Sequence, residues 1–325
     1  MHWPRWLPLD PFVTALLATV AVAVLLPARG PAAAGFDVAA TVAVGLLFFL
    51  HGARMAPRAA LEGARHWRLH ALVLSLTFVL FPLLGELGAV LVPSVLTADL
   101  HRGLLFLCAA PSTVQSSIAF TSIARGNVPA AVFAATFSNL AGIVLTPLLA
   151  VALLHGDGGI KLTGAAVGTV VLQLLVPFAL GQAARRWIAR PLEQHRTVVS
   201  LADRGSILLV VYSAFSAGVV AGVWRQVSPL RLVALLAVVV ALLGVVLAIA
   251  YGAGRLLRFS RPDRAAIVFC GSKKSLATGL PMATVLFSGH SLGLLILPLM
   301  LFHQVQLVVC AALARRWSES AATPA

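Results

Sequence analysis

Residues 268–282 read VFCGSKKSLATGLPM, two adjacent lysines between apolar runs that otherwise resemble the interior of a membrane. Arginine is this chain's usual cation, at 21 positions, whereas lysine occurs only at Lys161, Lys273 and Lys274. A lysine at the centre of a membrane helix costs about 2.5–3.5 kcal/mol on insertion scales. Arg264 marks the aqueous end of this segment. Roughly nine residues of helix, at about 1.5 Å each, then carry Lys273 about 13 Å inward, close to the middle of a core about 30 Å thick. A short helical cap with both lysines snorkelling outward is the competing reading, and Arg264 stands against it. An ionisable group at such depth points to function.

The rest of the chain fits this environment. Of 325 residues 60% are hydrophobic and only 10% are charged, where soluble domains usually carry about 25% charged residues. Apolar runs fall at 12–27, 36–53, 69–92, 102–124, 129–154, 162–184, 205–224, 230–256, 264–288 and 291–314. Each is close to the about 20 residues that cross a bilayer. The chain therefore reads as an all-α polytopic membrane protein with ten transmembrane helices. The first run is expected to be a retained helix rather than a cleaved signal peptide.

With ten spans both termini share one side, and that side collects 17 of the arginines, among them Arg54, Arg68, Arg185, Arg264 and Arg315. The other side holds Arg29, Arg102, Lys161, Arg225 and Arg231. Excess Lys and Arg mark the cytoplasmic face. Both termini are thus expected in the cytoplasm, with the chain integral to the plasma (bacterial inner) membrane. The net charge of +14 lies mostly in these loops, which argues against a nucleic-acid surface. Cys108, Cys270 and Cys310 are scattered in apolar segments and suggest neither disulfides nor zinc. No nucleophile–base pair, phosphate loop or dinucleotide motif occurs, so an enzyme is not expected, nor is a cofactor or a metal centre.

The short polar link 155–161 divides the chain into 1–154 and 162–325, each with five spans. An odd number per half inverts the second relative to the first, a transporter pattern in which interrupted helices at matching places mark the binding site. The fourth span reads GLLFLCAAPSTVQSSIAFTSIARGN and the ninth AAIVFCGSKKSLATGLPMATVLF. Each runs apolar to a cysteine, then meets a breaking residue, Pro111 or Gly271, then a polar cluster. Hydroxyls beside a kink repair freed backbone groups. Ser112, Thr113, Gln115, Ser116 and Ser117 exceed that need, and a primary amide finds no partner in lipid. They are expected to wall a cavity opposite Ser272, Lys273, Lys274 and Ser275. Asn139 in the fifth span adds a further polar group. His303 and Gln306 in the tenth lie three apart on one helix face. His303 is either a proton carrier or a structural histidine. Among ten Asp and Glu only Glu86 falls well inside a span. Either Glu86 is the charge partner of a lysine, or the site is positive and attracts an anion.

The strings APSTVQSSIAFTSIARGN, CGSKKSLATGLPMA and LPLMLFHQVQLVVCA resemble the bile acid:sodium symporter superfamily, most closely its divergent SBF-like branch. The resemblance runs through nearly the whole chain. It implies two inverted five-helix repeats. Helices 1, 2, 6 and 7 would form a panel domain, and helices 3–5 and 8–10 a core in which helices 4 and 9 break and cross. It also implies alternating-access transport of a small organic anion. Sodium-coupled relatives place a Ser–Asn pair where Ser116 and Ser117 stand, and a Glu followed by Met-Gln-Asn where Phe269 and then Ser272, Lys273 and Lys274 stand. The sodium-binding carboxylate and amides are missing, which makes sodium coupling doubtful. An ammonium in place of sodium and a proton-carrying lysine are both compatible with that loss. The alternatives are a sodium-independent carrier, proton-linked or a uniporter, and a non-transporting membrane regulator of ion homeostasis.

Overall fold

The computed structural model describes residues 11–54, 66–154, 171–220, 222, 228–287 and 292–319. Among them the secondary structure is helical, without strands. The link at 155–161 lies outside the described residues. In chain order the helices are α1 (Pro11–Leu25), α2 (Pro31–Arg54), α3 (Trp67–Leu91), α4 (Ala98–Ala109), α5 (Gln115–Ile123) and α6 (Val128–Leu153). They continue with α7 (Val176–Gln194), α8 (Arg196–Val220), α9 (Pro229–Leu256), α10 (Arg261–Gly271), α11 (Leu276–Leu286) and α12 (Leu292–Glu319).

Six of these, α2, α3, α6, α8, α9 and α12, are long and apolar enough to cross a membrane unaided. Four of the ten expected spans are absent from that set, and two of these, the fourth and the ninth, are absent for a physical reason. The fourth and ninth are divided at 110–114 and 272–275 into half-helices of 9 to 12 residues, each too short to span alone. The second interruption begins after Gly271, which is the last helical residue. A Cβ there would lie 2.6 Å from Leu76 Cδ1, so the end of α10 packs closely on α3 and a larger residue would need the Leu76 side chain to move. Around the sixth and seventh runs the helices outlast the apolar stretches. The α7 helix continues to Gln194 because 185–194 is amphipathic, with Arg186 stacked 3.7 Å above the Trp187 ring.

Helix starts follow local chemistry. Thr97, Asn127, Ser228 and Ser260 each accept a hydrogen bond from the backbone N–H three residues on, satisfying a donor that the helix leaves free.

The chain divides into two compact units. One holds α1, α2, α7 and α8. Within it α2 and α7 touch backbone to backbone: a Cβ on Gly52 would meet Phe178 O at 2.1 Å, and one on Gly181 would meet Phe49 O at 2.0 Å. Small residues permit this approach where no hydrophobic drive separates helix from lipid. Arg54 and Asp203 pair at 2.6 Å in the same unit. The other unit holds α3–α6, α9, α10, the start of α11 to Gly279, and α12 from Leu294. Its apolar centre includes Leu69, Val73, Ala131, Ala135, Phe269 and Cys310. Both helix interruptions belong to it.

Candidate functional site

Every interrupted helix leaves carbonyls without their usual donors, and the sequence at each break explains which. At the end of α4, Ala110 N–H turns back to Phe106 and Leu107. Pro111 has no N–H to give. The next amide, Ser112 N–H, would reach Cys108 O in a continuing helix but donates to Ser138 Oγ at 3.2 Å. Residues 111–114 do not continue the helix, so the carbonyls of Cys108, Ala109 and Ala110 receive no helical amide. Thr146 Oγ1 donates to Ala109 O at 2.9 Å.

The two breaks supply each other. Ser112 Oγ donates to Cys270 O at 2.6 Å and Ser117 Oγ to Phe269 O at 2.9 Å, both at the end of α10. In return Ser275 N–H donates to Pro111 O at 2.7 Å. The Lys274 ammonium donates to Cys108 O and Ala110 O, each at 2.7 Å. Its third bond, 2.9 Å, goes to Thr77 O in α3.

That third acceptor has a traceable origin. Residues Leu76–Leu80 form a π turn, and Phe81 N–H reaches Leu76 O, five residues back. In this register residue 82 would donate to Thr77 O, but residue 82 is proline. Pro82 frees the carbonyl that Lys274 takes. An ammonium has three N–H donors, and here all three are used by backbone oxygens. Nζ also sits 4.1 Å from the centroid of the Phe81 ring. Two of the three acceptors lie at a helix C-terminus, the end of the macrodipole that favours a cation.

The backbone of Lys274 is held as firmly. Its N–H donates to Gln306 Oε1 and its carbonyl accepts from Gln306 Nε2, both at 2.8 Å. His303 Nδ1 lies 2.9 Å from Gln306 Nε2, so the expected pairing of these two residues on one helix face holds.

Lys273 is equally buried, with no exposed surface, yet its Nζ has no hydrogen-bond acceptor among the described residues. It lies 3.9 Å from the centroid of Phe120 in α5. Phe269 is 6.1 Å from Phe120, and Trp317 is 5.7 Å from Phe269.

The remaining expected residues divide. Ser112, Ser117, Ser272 and Ser275 are buried. Ser272 Oγ turns back to Val268 O at 2.6 Å, repairing its own helix end. Ser275 Oγ caps α11 by accepting from Thr278 N–H at 3.2 Å, and Thr278 Oγ1 donates to Asn139 Oδ1 at 2.9 Å. Thr113 and Ser116 are half-buried, 3.5 Å apart. Gln115 opens α5 and is exposed. Glu86 is also exposed, and the partners of Lys274 are carbonyls rather than a carboxylate. Thr77, Phe81, Pro82, Phe120 and Thr278 escaped sequence reasoning. The proline inside LTFVLFP was the visible signal, since it must free a carbonyl one turn back.

The family model described as the SBF-like CPA transporter family matches residues 10–319. The chain belongs to this transporter family. It is 53% identical to an uncharacterized protein of Pseudomonas aeruginosa, over 98% of this chain and 95% of that one. It is 48% identical to the Escherichia coli (strain K12) protein named "Putative symporter YfeH", over 95% and 93%. It is 28% identical to "Sodium/bile acid cotransporter 7" of Danio rerio, over 84% and 82%. With its apolar helices, the protein is an integral membrane protein of a transporter family, and the names of its relatives point to transport rather than catalysis.

Proposed function

We propose that the protein is a secondary active transporter of a small organic anion, working by alternating access, with the crossing of the two broken helices as its transport site. One observation carries the reading: two lysines are fully buried where the interrupted helices meet. Burying charge in a membrane protein is costly and marks a substrate or ion pathway. The carboxylate side chains of this unit's membrane-spanning helices offer no counter-charge at the crossing, since Glu86 is exposed, so an anion is the natural complement. The two lysines are unequal in this respect. Lys274 spends its three N–H groups on carbonyls, whereas Lys273, with no acceptor, is the cation able to meet an anionic group when the crossing opens.

The same reading takes the chain as ten spans in two inverted halves, with both termini in the cytoplasm and the protein in the bacterial inner membrane. The arginine distribution supports that orientation. The name of the zebrafish relative couples sodium to bile acid. Here the crossing offers hydroxyls and ammonium groups rather than a carboxylate cage, a poor fit to sodium, and favours sodium-independent transport.

Uptake into proteoliposomes under a sodium gradient, a proton gradient or neither tests this. Uptake of an organic-acid panel independent of sodium, and lost in Lys273→Met while the protein still inserts, is the expected result. Undiminished uptake by Lys273→Met would remove the site assignment. Binding of a ligand without any movement across the vesicle would favour the non-transporting regulator.

A further inference from the structure

The three oxygens around Lys274 Nζ have the character of a cation site. Thr77 O, Cys108 O and Ala110 O converge on one point at 2.9, 2.7 and 2.7 Å. None belongs to a regular helical hydrogen bond: Pro82 removes the donor to Thr77 O, the Ser112 amide that would serve Cys108 O turns away to Ser138, and residues 111–114 leave the helix, so no amide four residues on returns to Ala110 O. Backbone carbonyls are acceptors only, and two of them stand at the negative end of α4. The Phe81 ring presents its electron-rich face at 4.1 Å. Left empty, this cluster would hold unsatisfied carbonyls in a buried place, and a compact cation with several N–H donors meets all three at once.

We propose that Thr77, Cys108 and Ala110 form a monovalent-cation site occupied permanently by the chain's own Lys274 ammonium. The crossing thereby carries its counter-ion covalently and takes none from solution. The Gln306 amide, bonded to both the N–H and the C=O of Lys274 at 2.8 Å, fixes the backbone from which the tethered cation reaches in. A free ion would be released in each transport cycle, but a tethered one stays. The structural charge at the crossing is then constant, and ion coupling must come from elsewhere.

This inference deepens the transporter reading, but its test does not pass through transport, so each can fail alone. The experiment is thermal unfolding of detergent-purified protein in choline chloride, with sodium, methylammonium or tetramethylammonium added. The wild type is expected to show no shift specific to sodium or methylammonium, because the site is filled. Lys274→Ala is expected to unfold several degrees lower and to recover part of that loss with methylammonium, in a saturable way. Tetramethylammonium, which has no N–H and does not fit, should not help. Lys274→Met, filling the volume without charge, should stay destabilised. A Lys274→Met protein as stable as the wild type would overturn the proposal, as would a Lys274→Ala protein indifferent to methylammonium. If neither variant folds, the wild type still decides: a saturable, sodium-specific rise in its unfolding temperature would mean that the crossing takes its cation from solution, and the absence of that rise supports the tethered one.

Discussion

Lys273 and Lys274 are neighbours in sequence, share complete burial and reach opposite chemical situations. The second is bonded by three carbonyls and its peptide is clamped by Gln306. The first lies against an aromatic ring with no hydrogen-bond acceptor. Both belong to residues 272–275, where the chain is not helical, so adjacent side chains can leave in different directions. The contrast teaches that a buried charge in a membrane protein can be architecture or function, and that the acceptor list separates the two. A fully bonded ammonium has nothing left to offer a substrate. One without acceptors is tolerated at a cost that a folded protein accepts only for use.

The largest effect should come from breaking this contrast directly. Lys274→Met leaves three buried carbonyls unpaired, each worth about 1–3 kcal/mol, and should lower the unfolding temperature and the yield in membranes. Lys273→Met removes no hydrogen bond and relieves an unpaired buried charge, so it should match or exceed the wild type on both measures. Equal destabilisation of the two variants would erase the difference drawn here.

A smaller effect is expected from Gln306→Leu. It deletes the paired bonds to the Lys274 peptide, each worth about 1 kcal/mol as a net contribution, and leaves the ammonium bonds in place. Thermal unfolding should fall between the wild type and Lys274→Met. A value below Lys274→Met would assign the strength of the crossing to the clamp rather than to the charge.

The smallest loss belongs to the hydroxyls. Ser112→Ala and Ser117→Ala each remove one donor from the end of α10 and should cost about 1 kcal/mol apiece. Because α4 is closed by an ammonium and α10 by neutral hydroxyls, the serine variants should be insensitive to added methylammonium. This can be read in the same unfolding assay.

Much of the architecture was legible as apolar runs. The stretches expected to be helical are largely helical where they are described, some ending a residue or two short as at 26–27 and 92, and the interruptions fall at Pro111 and just after Gly271, as residue types with missing N–H or missing Cβ predict. The lengths of α7 and α8 were misjudged because helix persistence past the apolar run depends on amphipathic packing, not on hydropathy alone. At the site, the pairing of His303 with Gln306 followed from a spacing of three on a helix. The exposure of Gln115 and of Glu86 was not legible, because a polar residue in an apolar segment is not thereby buried.

The sequence alone determined that this is a membrane chain, where its helices break, and that two cations lie deep between apolar segments. Those conclusions rest on side-chain hydropathy and on the special backbones of proline and glycine, both properties of single residues. Only the tertiary structure decided which lysine is bound and which is not. The acceptors of Lys274 are peptide carbonyls, a group that every residue carries and that no residue letter distinguishes. They become available only where Pro82 strips a donor from α3, the chain leaves the helix at Pro111, and the fold brings both places to one ammonium.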